Sequence, residues 1–237
     1  MKARILVAAL ALAAAAPAFA TYTTVDVSTY VNGSVAIRPD TFPIGTTTGN
    51  QGSGIPFQTA PNPSNPSLMG TWLAPSYTGA TLVVDLSALD ISGQASFYAL
   101  LNNYYGTPGA DEYDITIKAT NGDSITYQSI GGVDTRDYNQ NIYTDTIAST
   151  TFPWFDNGLP DPQRLDVREF TLPGSFAADT IASFTITQQN PTDIALFSGL
   201  TFSDKPVITS VPEPGSLAML LAGFGVLGML ARRRSAR

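Results

Sequence analysis

Aromatic residues in predicted loops are the first candidates for binding chemistry in this sequence. Aromatic rings stack on sugar rings, and nearby amide, carboxylate and guanidinium groups form the hydrogen bonds that orient a sugar. The candidate carbohydrate-binding residues are Asn103, Tyr104, Tyr105, Asp134, Arg136 and Trp154, with Asn102, Asp137 and Phe155 beside them. The alternative is that the aromatic residues cap the ends of the core with their polar tips in water.

Acidic residues in and beside a predicted hairpin are a second group of candidates. Asp111, Glu112, Asp114 and Asp123 carry the carboxylate oxygens that Ca²⁺ prefers as ligands. No EF-hand spacing is present, so the alternative is that these are ordinary turn residues. The expectation is therefore either no cofactor or a Ca²⁺ ion at these four residues.

Much catalytic chemistry is excluded by composition, because the chain has no cysteine and no histidine. It can form neither a Ser-His-Asp nor a Cys-His nucleophile system, and no thiolate or histidine-based zinc or iron site. A glycosidase or polysaccharide lyase would instead use carboxylates. Between residues 21 and 210 the only glutamates are Glu112 and Glu169, and no carboxylate pair stands out. We therefore expect the protein not to be an enzyme.

The elements that must position these residues are predicted to be β-strands. Residues 113–119 alternate apolar and polar side chains, and residues 124–128 do so again. Asn121-Gly122-Asp123 lies between them and is typical of a tight turn, so residues 113–129 are predicted to form a hairpin.

Other segments also carry strand patterns. Residues 182–187 alternate, whereas 81–86 and 195–202 are more continuously apolar, as strands covered on both faces are. Proline and glycine are dense in 40–67 and 150–162, which predicts irregular structure there. About ten short strands without a sustained helical period predict an all-β fold, an antiparallel β-sandwich of jelly-roll type over residues 21–203.

The predicted sandwich and its tether are strongly acidic. Residues 21–210 hold six lysines and arginines against eighteen aspartates and glutamates, a net charge near −12. Phosphates would repel such a surface, so the charge argues against nucleic acid and anionic lipid as partners. The general interpretation of this acidity is solubility.

The N-terminal residues 1–20 have the features of a secretory signal peptide. Lys2 and Arg4 form a basic start, residues 5–16 are apolar without interruption, and Ala18 and Ala20 flank Phe19 in a small-x-small pattern. Signal peptidase cleaves after this pattern, so a signal helix and export are predicted.

The C-terminal residues 204–237 combine four features. Residues 204–210 form a predicted tether, and residues 215–231 are apolar and predict a single transmembrane helix of marginal length. Between them lies the motif Val211, Pro212, Glu213 and Pro214, and Arg232, Arg233 and Arg234 begin the basic tail 232–237. The positive-inside rule places this tail in the cytoplasm and residues 21–210 outside the inner membrane.

Residues 211–237 resemble the PEP-CTERM sorting signal of Gram-negative bacteria, because the proline motif, apolar span and arginine cluster occur in that order. The resemblance implies that exosortase, an inner-membrane enzyme, cleaves the chain near Pro212-Glu213-Pro214. The protein would be held transiently in the inner membrane and then passed to the cell surface or extracellular matrix. Prolines at 212 and 214 favour an extended backbone that a protease can bind as a strand.

The predicted sandwich resembles galactose-binding-like or carbohydrate-module-like domains over about residues 70–203. The segments that carry this resemblance are 98–106, 131–138 and 163–167. The predicted function is a structural or adhesive surface protein associated with exopolysaccharide. The alternative is a lectin-like module with a defined glycan ligand. Ice binding would need a regular threonine face, and the threonines show no fixed repeat.

Overall fold

β-strands are the dominant secondary structure in the computed structural model, which describes residues 20–34, 41–139, 147, 151–160 and 163–205. The strands are β1 (Tyr22–Val25), β2 (Gly45–Thr47), β3 (Phe57–Thr59), β4 (Pro61–Asn62), β5 (Asn65–Met69), β6 (Trp72–Leu73), β7 (Thr81–Asp85), β8 (Ser96–Tyr104), β9 (Asp111–Ala119), β10 (Ser124–Ile130), β11 (Thr151–Asp156), β12 (Arg164–Thr171), β13 (Ile181–Gln188) and β14 (Ile194–Ser203). A short 3₁₀ helix, Gly174–Ala178, connects β12 to β13.

Two antiparallel sheets pack face to face as a sandwich. The larger sheet has the order β1-β14-β8-β12-β11, and β6 also pairs with β14. The smaller sheet has the order β10-β9-β13-β7, and β2–β3 and β4–β5 form two separate two-stranded ribbons. The predicted all-β, antiparallel sandwich is confirmed, and this arrangement fits a jelly roll.

The predicted hairpin over residues 113–129 is confirmed as β9 and β10. Tyr113 lies opposite Ser129, and Lys118 lies opposite Ser124. Gly122 has a φ of 100°, which places the turn in the region that glycine adopts without steric cost. The alternation therefore predicted both the pairing and the face that each side chain occupies.

Aromatic rings fill the core between the two sheets. Phe97 on β8 stacks on Phe170 of β12 at 4.4 Å and meets Phe184 of β13 edge-on at 6.1 Å. All three rings are buried, and such pairs contribute about 0.5–1.5 kcal/mol each beyond their area.

A second core lies on the opposite face of the larger sheet. Leu100 of β8 and Leu196 of β14 pack there with Phe57, Met69 and Trp154 from the covering ribbons and β11. The central strands β8 and β14 are thus covered on both faces, as the apolar run at 195–202 predicted. The same prediction for 81–86 is wrong, because β7 is an edge strand whose Val83 is 53% exposed.

The two segments predicted to be irregular contain strands. Residues 40–67 include β2, β3 and β4 and part of β5, and residues 150–162 include β11. Pro153 fits within β11 because this is an edge strand whose ladder shifts register between Pro153 and Phe155. Dense proline therefore indicated short edge strands here rather than the absence of strands.

Several predicted segments fall outside the described residues. These are the signal helix with Ala18, the motif Val211, Pro212, Glu213 and Pro214, the transmembrane helix 215–231, and the basic tail with Arg232, Arg233 and Arg234. Within the described part of the chain, no helix has the length and apolar character needed to cross a bilayer.

Candidate functional site at one end of the sandwich

Three loops meet at the end of the sandwich where β8 finishes and β9 begins. The loop 105–110 bonds to the loop 131–139, because Gly109 N donates to Gly131 O at 2.8 Å and Gly131 N donates to Ala110 O at 2.9 Å. The loop 189–193 joins them, because Gln189 N donates to Glu112 O at 2.9 Å. Most of the predicted site residues lie at this loop cluster.

A row of three tyrosine rings lies at the loop cluster. Tyr138 stacks on Tyr104 with ring centroids 4.8 Å apart, and Tyr104 meets Tyr105 edge-on at 4.2 Å. Tyr138 is buried, whereas Tyr105 is 43% exposed. Tyr105 also has a φ of 68°, a conformation that costs a non-glycine residue about 1–3 kcal/mol. Its N–H donates to Asp137 Oδ2 at 2.9 Å, which holds this conformation.

Arg136 binds a buried carboxylate of its own chain. Its Nε and Nη2 donate to Asp166 Oδ2 and Oδ1, both at 2.8 Å, in a bidentate pair. Asn102 Nδ2 donates to Asp166 Oδ2 at 2.8 Å, and Arg164 Nε lies 3.6 Å from the same oxygen. The Arg136 guanidinium therefore fixes the loop 131–139 to β12.

Asp134 is also engaged within the fold. Its Oδ1 lies 3.3 Å from Arg168 Nη2, and its Oδ2 accepts from Ile130 N at 3.1 Å. Arg168 further donates to the Ser129 hydroxyl and lies 4.7 Å from the centre of the Phe170 ring. Asp134 thus closes a tight turn and neutralises a buried arginine.

Two of the predicted sugar-binding residues have no exposed surface. Trp154 is fully buried, donates from Nε1 to Ile55 O at 3.1 Å and meets Phe57 edge-on at 5.6 Å. Asn103 is fully buried as well, in strand β8 rather than in a loop. The prediction that Trp154 lies in a loop with a face for sugar is wrong, because β11 places its ring in the second core.

The four predicted calcium ligands do not converge. Asp111 accepts from Gln128 Nε2 at 3.2 Å and Asp114 from Gln189 Nε2 at 2.7 Å, whereas Asp123 lies in the turn of the hairpin. Strand β9 separates that turn from Asp111 by about 27 Å, at about 3.4 Å per residue. The predicted grouping with Asp123 is therefore wrong, and no three acidic side chains of the described residues form a metal cluster.

The structure brings Glu112 together with Asp193, a residue that the sequence did not single out. Both are fully buried. Glu112 accepts from Thr107 N and from Asn190 Nδ2, the latter at 2.7 Å, and its carboxyl contacts that of Asp193. Burial, then the charge of Glu112, raises the pKa of Asp193 to about 9, and burial raises the pKa of Glu112. The dipeptide Asn190-Pro191 is typical of a turn, but no sequence pattern indicates a buried carboxyl beside it.

Comparison with known proteins identifies the C-terminal segment. Residues 210–235 match the PEP-CTERM protein-sorting motif. No curated protein and no solved structure matches the chain. The protein is therefore an all-β sandwich that carries a PEP-CTERM sorting signal. This signal indicates an exported protein that exosortase sorts to the cell envelope or surface, with exosortase as its processing partner.

Proposed function

We propose that this protein is a structural or adhesive component of the cell surface or extracellular matrix of a Gram-negative bacterium, associated with exopolysaccharide. The observation that carries the proposal is the sorting motif at 210–235, which follows a sandwich whose last strand ends at Ser203. A folded β-domain with a removable C-terminal signal suits a protein that is displayed rather than one that acts inside the cell.

The export route has three steps in this proposal. Signal peptidase cleaves after Ala20, and the apolar run at 215–231 then holds the chain in the inner membrane with its C-terminus in the cytoplasm. Exosortase finally cleaves near Pro212-Glu213-Pro214 and releases the sandwich to the outside. The acidic composition suits this release, because like charges keep the freed sandwiches from aggregating with one another before they reach the surface.

A function without catalysis is part of the proposal. The carboxyls of Glu112 and Asp193 are in contact and fully buried, whereas glycosidase carboxyls lie about 5 Å or more apart on either side of a substrate. Arg136 and Asp134 are engaged in ion pairs within the fold. Incubation of the purified protein with the producer's exopolysaccharide should therefore release no reducing ends, and their release would overturn this part.

Sorting is tested by locating the protein in the native host with and without exosortase. An antiserum against the sandwich should detect it outside the inner membrane in the wild type and in the inner-membrane fraction without exosortase. A Pro212→Ala, Glu213→Ala, Pro214→Ala variant should stay in the membrane, while a matched Pro75→Ala, Ser76→Ala, Tyr77→Ala variant, in an exposed loop, should be sorted normally. Equal membrane retention with and without exosortase would overturn the proposal.

Exopolysaccharide association needs its own measurement. The sorted protein should co-sediment with exopolysaccharide from the same host and should remain in solution when the polysaccharide is omitted. Residues 21–210 carry a net charge near −12, so attraction between opposite charges is not what holds the protein to an anionic polymer. Association should therefore persist at about 0.3 M salt, where charge interactions are largely screened. Failure to co-sediment at any salt concentration would remove this part of the proposal and leave the sorting route intact.

A second candidate function is a lectin-like module, and the conformation of Tyr105 favours it. A tyrosine held at a φ of 68° and 43% exposed fits a residue constrained for contact with a ligand. Glycan-array binding that is lost in Tyr105→Ala and retained in Tyr77→Ala would support this function. Tyr77 is a suitable control because it is 58% exposed and lies in the loop before β7. If no glycan on the array bound the protein, the lectin-like function would be rejected and the structural role would remain.

A further inference from the structure

Two buried carboxyls in contact need a charge between them or a shared proton. Glu112 and Asp193 are both fully buried, and neither forms an ion pair with a basic side chain of the described residues. Besides the contact between the two carboxyls, their hydrogen bonds come from the neutral donors Thr107 N, Asn190 Nδ2, Ile194 N and Tyr104 N. Burying both groups in the ionised form costs several kcal/mol, so the pair is stable only with a shared proton or with a bound cation that replaces it.

An independent feature beside this pair is the side chain of Asn103. It is fully buried, and neither its Oδ1 nor its Nδ2 has a hydrogen-bond partner among the described residues. Buried amides are almost always bonded, so an amide with neither atom paired requires an explanation. A bound cation coordinated by Oδ1 would give the amide oxygen a partner.

Strand geometry directs Asn103 towards the carboxyl pair. Asn103 lies opposite Ala195 in the β8–β14 ladder, so the two side chains share the face that looks into the sandwich. Asp193 precedes Ala195 by two residues and accepts from the backbone N–H of Tyr104, the residue after Asn103. The amide and the Asp193 carboxyl are therefore diagonal neighbours within side-chain reach.

The loop 105–110 adds further oxygen atoms at the same place. A Cβ on Gly131 would lie 2.3 Å from Thr107 O and 2.5 Å from Glu112 Oε1, so these two oxygens lie together against the glycine. A Cβ on Gly106 would lie 2.1 Å from Asn103 Nδ2, so the loop also closes over the amide. Glycine at both positions allows the backbone to approach the cluster closely.

We propose that Asn103, Glu112 and Asp193, with the carbonyl oxygen of Thr107, bind one Ca²⁺ ion at this end of the sandwich. All the donor atoms are oxygens, which Ca²⁺ prefers, and there is no nitrogen or sulfur ligand of the kind that zinc favours. Mg²⁺ fits less well because it retains several waters, and these side chains are fully buried. The ion neutralises the two carboxylates and occupies the free Asn103 oxygen.

This site differs from the grouping that the sequence predicted. It keeps Glu112 and replaces the three aspartates of β9 and its turn with Asn103, on the preceding strand, and Asp193, which lies far from Glu112 along the chain. It also goes beyond the proposed surface role. The ion ties the loop 105–110, which carries Tyr105, to the loop 189–193, so it would order the exposed end of the sandwich.

The test is calcium binding by the full-length chain, purified in mild detergent and stripped with EDTA. Isothermal titration with CaCl₂ should show one ion per chain with a Kd on the order of 10⁻⁴ M, as in extracellular modules. At about 10 mM Ca²⁺ the melting temperature should rise by about 5 °C. Terbium, used in place of calcium, should luminesce on tyrosine excitation, because Tyr104 and Tyr113 adjoin Asn103 and Glu112 in sequence.

Matched variants localise the ion. Asp193→Asn and Asn103→Ala should each weaken calcium binding about tenfold or more. The control Asp123→Asn changes an acidic residue in the turn after β9, and this variant should bind calcium as the wild type does. The wild-type titration does not depend on any variant folding. No calcium binding and no rise in melting temperature at 10 mM would overturn the proposal, as would equal losses in Asp123→Asn and Asp193→Asn.

Discussion

Asp166 is the residue at which a substitution of nearly equal side-chain volume should lower the stability of the described fold most strongly. Its carboxylate is fully buried and bonds to Arg136 and Asn102, and Arg164 Nε lies 3.6 Å from it. Asp166→Asn has nearly the same volume, but it removes the negative charge that pairs with the Arg136 guanidinium and lies near Arg164 Nε. Removing one partner of a buried ion pair costs about 3–5 kcal/mol.

The assay is urea denaturation followed by tryptophan fluorescence. Trp72 and Trp154 are both buried, so unfolding should move their emission to longer wavelength. Asp166→Asn should lower the free energy of unfolding by about 3–5 kcal/mol. The control Asp26→Asn changes an exposed carboxylate in a local turn, and it should stay within about 0.5 kcal/mol of the wild type. A loss below about 1 kcal/mol for Asp166→Asn would refute the claim that this network fixes the loop 131–139.

Three further predictions concern the core, a close backbone approach and pH. Trp154→Ala should lose about 3–5 kcal/mol of stability in the same urea assay, because it empties part of the second core; an unchanged midpoint would contradict its burial. Gly131→Ala should lose about 1–3 kcal/mol because its Cβ meets the Thr107 carbonyl, whereas Gly174→Ala, with nothing within 4 Å, should be neutral. Burial raises the pKa of Glu169 to about 7 from 4.5, so its contribution to stability is fully present below pH 4.5 and is lost as the pH rises through 7. Glu169→Gln should therefore gain about 1–2 kcal/mol over the wild type at pH 8 but not at pH 4, and an equal difference at both pH values would contradict this.

Local patterns predicted the parts of the fold that depend on local pairing. Alternation at 113–119 and 124–128 identified the β9–β10 hairpin and its inward faces, because a two-fold period and a glycine turn leave one register. The apolar run at 195–202 identified a central strand. The run at 81–86 was misinterpreted because an edge strand with Val83 exposed has a similar composition.

Contacts between segments that are distant in the sequence could not be predicted from local patterns. Trp154 follows a proline in a segment that looks like a loop, and its burial depends on Phe57, nearly a hundred residues away in the chain. In the sequence Asp193 looks like an ordinary turn residue, and only the position of β14 in the fold brings it beside Glu112. The composition of a segment predicts whether it forms a strand, but it does not predict which distant segment covers it.

The central claim, exosortase sorting of a β-sandwich to the outside of the cell, is tested most directly by the intact mass of the protein recovered from the surface or matrix of the native host. Cleavage by signal peptidase and exosortase predicts a chain that begins at Thr21 and ends close to Pro212-Glu213-Pro214, without the basic tail. A surface protein whose mass still includes Arg237 would contradict it.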